Sequence, residues 1–265
     1  MAPIRCRGAE EDELLESVYV LVAVGAIVAG FVQGLSGFAF GMVAMSFWVW
    51  VLDPRLAAAL AVFGSLTGQI VAAASLRRKL NAPLLLPFLL GGLCGVPLGV
   101  WLLPRMDIDV FKAVLGGLLV LWCPAMLMAK NLPRIERGGR VADGLVGVVG
   151  GAMGGIGGFT GTVPTLWCTL RGFEKDTQRA VIQNFNLSML AVTMATYLAT
   201  GVVERDMLPY FAIVGPAMLI PAFIGTRLYV GMSEAAFRTI VLGLLTVSGC
   251  ALLISALPRL MARLG

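Results

Sequence analysis

The groups in this chain best suited to chemistry are backbone amides. Two glycine-rich segments, Gly34-Leu35-Ser36-Gly37 and Gly154-Gly155-Ile156-Gly157-Gly158, interrupt long apolar runs. A glycine inside a helix costs about 1 kcal/mol relative to alanine, so a helix reaching either segment is expected to stop and a new one to start beyond it. The amino terminus of a helix presents unpaired N–H groups and a partial positive charge, and both attract anions. Gln33, Ser36, Thr160 and Thr162 stand beside the breaks and can donate hydrogen bonds to oxyanion oxygens. The candidate substrate-binding residues are therefore Gln33, Gly34, Ser36 and Gly37 at the first break, with Gly155, Gly157, Gly158, Thr160 and Thr162 at the second. Close helix packing also uses glycines at spacings such as Gly37/Gly41 and Gly154/Gly158. Packing alone, however, does not require two broken hairpins at equivalent positions.

A second polar cluster follows each break. Gln183, Asn184, Asn186 and Ser188 lie in one apolar run, and 121 residues earlier Ser65 stands opposite Asn186 and Thr67 opposite Ser188, with Gln69 two residues on. Uncharged amides in hydrocarbon need partners, so they face the protein interior or a wet cavity. Asn184, Asn186 and Ser65 join the candidate set on that ground, with interhelical hydrogen bonding as the equally weighted alternative.

Several chemistries are excluded. The chain has no histidine, which removes the commonest general base and the usual transition-metal ligand. The five cysteines, Cys6, Cys94, Cys123, Cys168 and Cys250, are too scattered for a metal site or a disulfide framework. Gly34-Leu35-Ser36-Gly37 resembles the serine motif of intramembrane proteases, but without a histidine the serine lacks its base. No Asp or Glu lies in the middle of an apolar run, whereas proton and cation pathways normally keep carboxylates there. An anionic substrate fits better; no catalytic residue, metal site or cofactor is expected.

The elements that position these residues are membrane helices. The chain of 265 residues is 58% hydrophobic and only 13% charged. Uncharged runs span 17–52, 56–76, 80–104, 113–129, 144–170, 180–203, 207–226 and 239–258. Most reach the roughly 20 residues that a helix needs to cross a bilayer. They lack the alternation of barrel strands, so the expected class is all-α, a polytopic helical membrane protein. Run 17–52 would be about 54 Å long as one helix, too long for one crossing, and must turn at Gly34–Gly37.

The two breaks align at an offset of 121, Gly34 with Gly155, Gly37 with Gly158 and Phe38 with Phe159. Phe111-Lys112 with Gly117-Leu118-Leu119 recurs as Phe237-Arg238 with Gly243-Leu244-Leu245 at offset 126. We read an internal duplication: an acidic amino-terminal tail 1–14, a first repeat 15–129, a basic linker 130–140, a second repeat 141–257 and a tail 258–265. Each repeat holds five segments and opens with a glycine-broken helical hairpin. An odd number inverts the second repeat relative to the first, as in many transporters. With the amino terminus on side A, side B receives eleven basic residues, among them Arg77, Arg78, Lys79, Lys130, Arg134, Arg137 and Arg140, against seven on side A. The positive-inside rule then makes side B cytoplasmic and places both termini outside.

The paired motifs GLSGFAFG at 34–41 and GGIGGFTGTVPTL at 154–166, the twice-used layout of a hairpin and three spans, and the FK/FR–GLL endings resemble the sulfite exporter TauE/SafE family over nearly the whole chain. The resemblance implies export, or in some relatives uptake, of small sulfur-containing anions such as sulfite, sulfoacetate and related sulfonates across a bacterial inner membrane. The expected partners are that anionic substrate and membrane lipid. Basic residues do not interleave with aromatics as nucleic-acid binding would require, and a homodimer stays open. The alternative function is a non-transporting membrane scaffold whose glycines only pack helices.

Overall fold

The computed structural model describes residues 5–75, 82–129, 135, 138–228 and 234–264. The basic residues Arg77, Arg78, Lys79, Lys130, Arg134 and Arg137, and with them most of the linker, lie outside the described residues. The described residues form ten α-helices: α1 (Arg5–Ser36), α2 (Phe40–Trp48), α3 (Pro54–Ser75), α4 (Ala82–Leu102), α5 (Ile108–Met128), α6 (Gly139–Gly157), α7 (Thr162–Leu170), α8 (Lys175–Ala199), α9 (Leu208–Leu228) and α10 (Glu234–Leu264). No strand is found among the described residues. The order of a long helix, a nine-residue helix and three long helices occurs twice. Helix α1 begins at Arg5, within the acidic segment read as a tail.

Among the described residues six helices are long and apolar enough to cross a membrane: Glu16–Ser36, Pro54–Ala74, Ala82–Arg105, Ile108–Met128, Arg205–Gly225 and Thr239–Arg263. Their outer faces carry exposed Leu98, Leu121, Ile220 and Ile254. That much apolar surface is unfavourable in water and is matched by lipid. The protein is an integral, multi-pass membrane protein. Run 144–170 gives no single span, because it divides into α6 and α7.

The breaks are glycine caps. Gly37 (φ 84°) and Gly158 (φ 77°) both adopt the left-handed conformation that glycine enters without a side-chain penalty. Their N–H groups donate back to Gln33 O at 2.7 Å and Gly154 O at 2.8 Å, closing α1 and α6 in the same way. Nine residues make about 14 Å of helix, under half a bilayer, so α2 and α7 cannot cross. Both turn back along their partners: Trp48 Nε1 donates to Val22 O of α1 at 3.3 Å, and Trp167 Nε1 donates to Asp143 Oδ1 of α6 at 2.8 Å. In both hairpins the short arm thus folds back along the long one.

Small residues let the long helices approach closely. A Cβ added at Gly91, Gly95 or Gly99 of α4 would collide with the carbonyl oxygens of Gly144, Val148 and Ala152 of α6. Gly147, Gly151 and Gly155 of α6 meet Phe88, Gly92 and Val96 in the same way. This is small-xxx-small packing on both helices. Gly30 and Gly225 join α1 to α9, and Gly116 and Gly249 join α5 to α10.

The bundle has two recognisable ends. At the first, Arg55 reaches Pro104 O, while Arg263 pairs with Asp107 and Asp109, and Arg259 lies 3.5 Å from Asp109. Asp107 caps α5 by accepting from Asp109 N at 3.0 Å and Val110 N at 2.9 Å. The Val110 amide, against the opposing effect of burial and with the help of Arg263 and the Asp109 amide, holds the Asp107 carboxyl below its ordinary 3.8. A lowered carboxyl pKa means that its stabilising contribution is complete above the ordinary value and is lost as pH falls through the lowered one. Asp107→Ala should cost about 1 kcal/mol of stability through loss of the cap, and Asp107→Asn clearly less, measured by thermal unfolding in detergent at neutral pH. At the opposite end Asp143, Trp167 and Arg171 tie α6 to α7.

Candidate anion site where the two broken hairpins meet

The first break is held by amide side chains. Gln33, 4% exposed, donates from Nε2 to Ser65 O of α3 at 3.2 Å, and its Oε1 accepts the Phe40 N–H that opens α2 at 3.0 Å. Gln69 Nε2 donates to Gly37 O at 2.7 Å. Ser36 Oγ accepts from Ala39 N at 3.2 Å, and Ser36 and Gly37 are both exposed. A Cβ at Gly37 would meet nothing within 4 Å. The tip of this hairpin is therefore fixed in the bundle on one side and open on the other.

The second break is closed. Thr160 and Thr162 are each 1% exposed and Asn186 2%. Thr160 Oγ1 donates to Asn186 Oδ1 at 2.9 Å, Thr162 Oγ1 to Phe159 O at 2.8 Å, and Trp122 Nε1 to Thr162 O at 2.7 Å. Trp122 also packs edge-on against Phe38 of the first break, with ring centroids 6.0 Å apart.

The two breaks touch. A Cβ at Gly41, in the first turn of α2, would lie 3.2 Å from Gly157 O, 3.4 Å from Gly158 O and 3.4 Å from Ser65 Oγ. Ser65 and Asn186, aligned by the offset of 121, both sit at the middle of their helices, one beside each break. Around this junction the Ser65 hydroxyl and Gln69 Oε1 are buried without a hydrogen-bond partner. The two residues are 2% and 1% exposed and lie one helical turn apart on the same face of α3. An unpartnered buried polar group costs about 1–3 kcal/mol.

A model of the sulfite exporter TauE/SafE family matches residues 21–252. This chain belongs to that family. No curated protein and no solved structure matches it. The TauE/SafE match runs from within α1 to within α10 and contains both glycine breaks, Ser65 and Asn186. It agrees with the resemblance carried by the GLSGFAFG and GGIGGFTGTVPTL motifs, and the description of the family makes it one of membrane transporters.

Within the TauE/SafE chain the candidate residues divide into groups. Gln33, Ser36, Gly37 and Ser65 gather at the first break, and Gly157, Gly158, Thr160, Thr162 and Asn186 at the second. Three stand apart. Asn184 donates to Ala180 O of its own helix at 2.8 Å, Gly155 packs on α4 where a Cβ would lie 2.6 Å from Val96 O, and Gly34 packs on Gly225 of α9. The candidate set read from the sequence leaves out Gly41, Gln69 and Trp122. Gln69 carried a signal, as an amide within an apolar run, whereas Gly41 and Trp122 are not distinguishable from packing residues by type alone. Lys112 is 8% exposed, with its Nζ 4.8 Å from the Trp50 ring centroid, beside the carboxyl end of α2 where a cation offsets the helix dipole.

Proposed function

We propose that this chain moves a small sulfur-containing anion, such as sulfite or a sulfonate, past the junction of its two broken hairpins. The observation that carries this reading is the pair of unpartnered buried groups, Ser65 Oγ and Gln69 Oε1, beside the first turn of α2. The hydroxyl supplies a donor to an oxyanion, the opening amides of α2 supply more, and Gln69 Oε1 accepts from an O–H of a partly protonated oxyanion. Thr160 and Asn186 provide the corresponding wall from the other half. The two halves act as inverted repeats, with one hairpin entering from each face, which suits alternating exposure of a central site. The exposed tip at Ser36–Gly37 and the closed packing at Thr160–Thr162 correspond to one side open and the other shut. On this reading the end marked by Asp143 and Arg171 faces the cytoplasm of a bacterial inner membrane, both termini lie outside, and transport runs outward.

The closed second break is also what a non-transporting scaffold would present. Ligand binding separates the two. Sulfite, thiosulfate, sulfoacetate or taurine should raise the apparent melting temperature of the purified protein, because a ligand that binds only the folded form stabilises it. Asn186→Ala should remove most of that rise while the variant stays folded. A panel of sulfur oxyanions, sulfonates and carboxylates that leaves the melting temperature unchanged would favour the scaffold.

A further inference from the structure

Two cavities lie side by side at the Asp143–Arg171 end of the bundle and share Arg140. One, of about 280 Å³, is lined by Pro83, Leu84, Gly139, Arg140, Asp143 and Arg171. The other, of about 400 Å³, runs along α4 and α6 against Leu86, Pro87, Leu90, Gly91, Val141 and Gly144, with Arg140 at its mouth. The first is a polar recess where α6 begins, and the second is an apolar groove one to two turns deeper, on a face where Leu86, Leu90 and Val141 are all exposed.

The cations in the recess are fixed differently. Arg171 is held in place: its Nη1 lies 3.1 Å from Asp143 Oδ1, which also accepts from Trp167 Nε1, and its guanidinium lies against the Trp167 and Phe173 rings. Asp143 is 3% exposed and neutralises part of that charge. Arg140 is exposed and has no ion pair among the described residues. Among the described residues the recess therefore keeps one positive charge in excess, to which the amino terminus of α6 adds its dipole.

We infer that this composite notch binds an anionic phospholipid, with the phosphate at Arg140 and Arg171 and an acyl chain along the Leu86–Leu90–Val141 groove. Charge at the membrane boundary and an apolar channel below it, joined at one residue, match an amphiphile of this charge and no soluble anion. Basic pockets between membrane helices bind acidic headgroups in this way. The close α4–α6 contact forms the floor of the groove, so an occupying lipid would brace the same packing that holds the hairpin of the second half.

Thermal unfolding of the purified full-length protein in detergent tests this with four additions: phosphatidylglycerol, phosphatidylcholine with identical acyl chains, glycerol phosphate and inorganic phosphate. Phosphatidylglycerol should raise the melting temperature by several degrees more than phosphatidylcholine. Arg140→Gln should lose at least half of that difference, and Arg140→Lys should keep most of it. The headgroup-only additions should do nothing at matched concentration. Equal effects of the two lipids, an undiminished difference in Arg140→Gln, or a matching rise with glycerol phosphate or inorganic phosphate would overturn the assignment. These readings do not depend on sulfur-anion transport, so they stand or fall separately from it.

Discussion

Ser65→Ala is expected to leave the folded protein as stable as the parent or slightly more so, while lowering anion flux at least tenfold. The two effects have opposite signs because the hydroxyl has no partner in the folded chain. It is buried at 2% exposure with Oγ unbonded, so deleting it removes a desolvation cost of about 1–3 kcal/mol and leaves only a small void. A transporter gains from such a group only when the ligand arrives. A tenfold loss of flux corresponds to about 1.4 kcal/mol, the size of one hydrogen bond to a charged ligand. Reconstituted flux and detergent thermostability measured on the same preparation would read both signs. A variant that lost stability and flux together would show that Ser65 has a structural partner after all.

Gly95→Val carries the largest expected loss of stability. A Cβ at Gly95 would collide with the carbonyl oxygen of Val148, and backbone on both sides leaves no flexible side chain to yield. Gly91 and Gly99 make the same contact with Gly144 and Ala152, so α6 cannot move away locally without opening the whole seam. Overpacking of this kind costs on the order of 3 kcal/mol. We expect Gly95→Val to unfold or aggregate on solubilisation, read by fluorescence-detected size exclusion. Gly117→Val on the lipid-facing side of α5, where a Cβ would meet nothing within 4 Å, should elute like the parent. Equal behaviour of the two variants would mean that the α4–α6 seam is not packed as described.

Much of this architecture was legible because the sequence repeats itself. Gly37 and Gly158, matched by their spacing alone, prove to be the two left-handed caps that end α1 and α6. Gly117 and Gly243, matched at the second offset, both stand where a Cβ would have no neighbour within 4 Å. Membrane location followed from apolar runs, which depend only on composition. What local sequence could not convey was which face of a helix a glycine or amide occupies. Gly155 and Gly157 are two residues apart in one motif, yet one packs on α4 and the other meets Phe159 and Met45 near the junction. Asn184 and Asn186 differ in the same way, the first bonded within its own helix and the second to Thr160. The shortness of α2 was also hidden, since the uncharged run continues to residue 52 with no mark of where the helix ends. The helix stops at Trp48, whose indole reaches back to Val22.

The central claim, that a small sulfur-containing anion passes the junction of the two hairpins, is tested most directly by uptake into proteoliposomes. Labelled sulfite, with thiosulfate, sulfoacetate, taurine, sulfate and carboxylates as competitors, should show saturable flux that at least one sulfur anion supports. That flux should fall at least tenfold in Ser65→Ala, and markedly in Asn186→Ala. No flux above empty liposomes for any of these anions, or equal flux in parent and both variants, would contradict it.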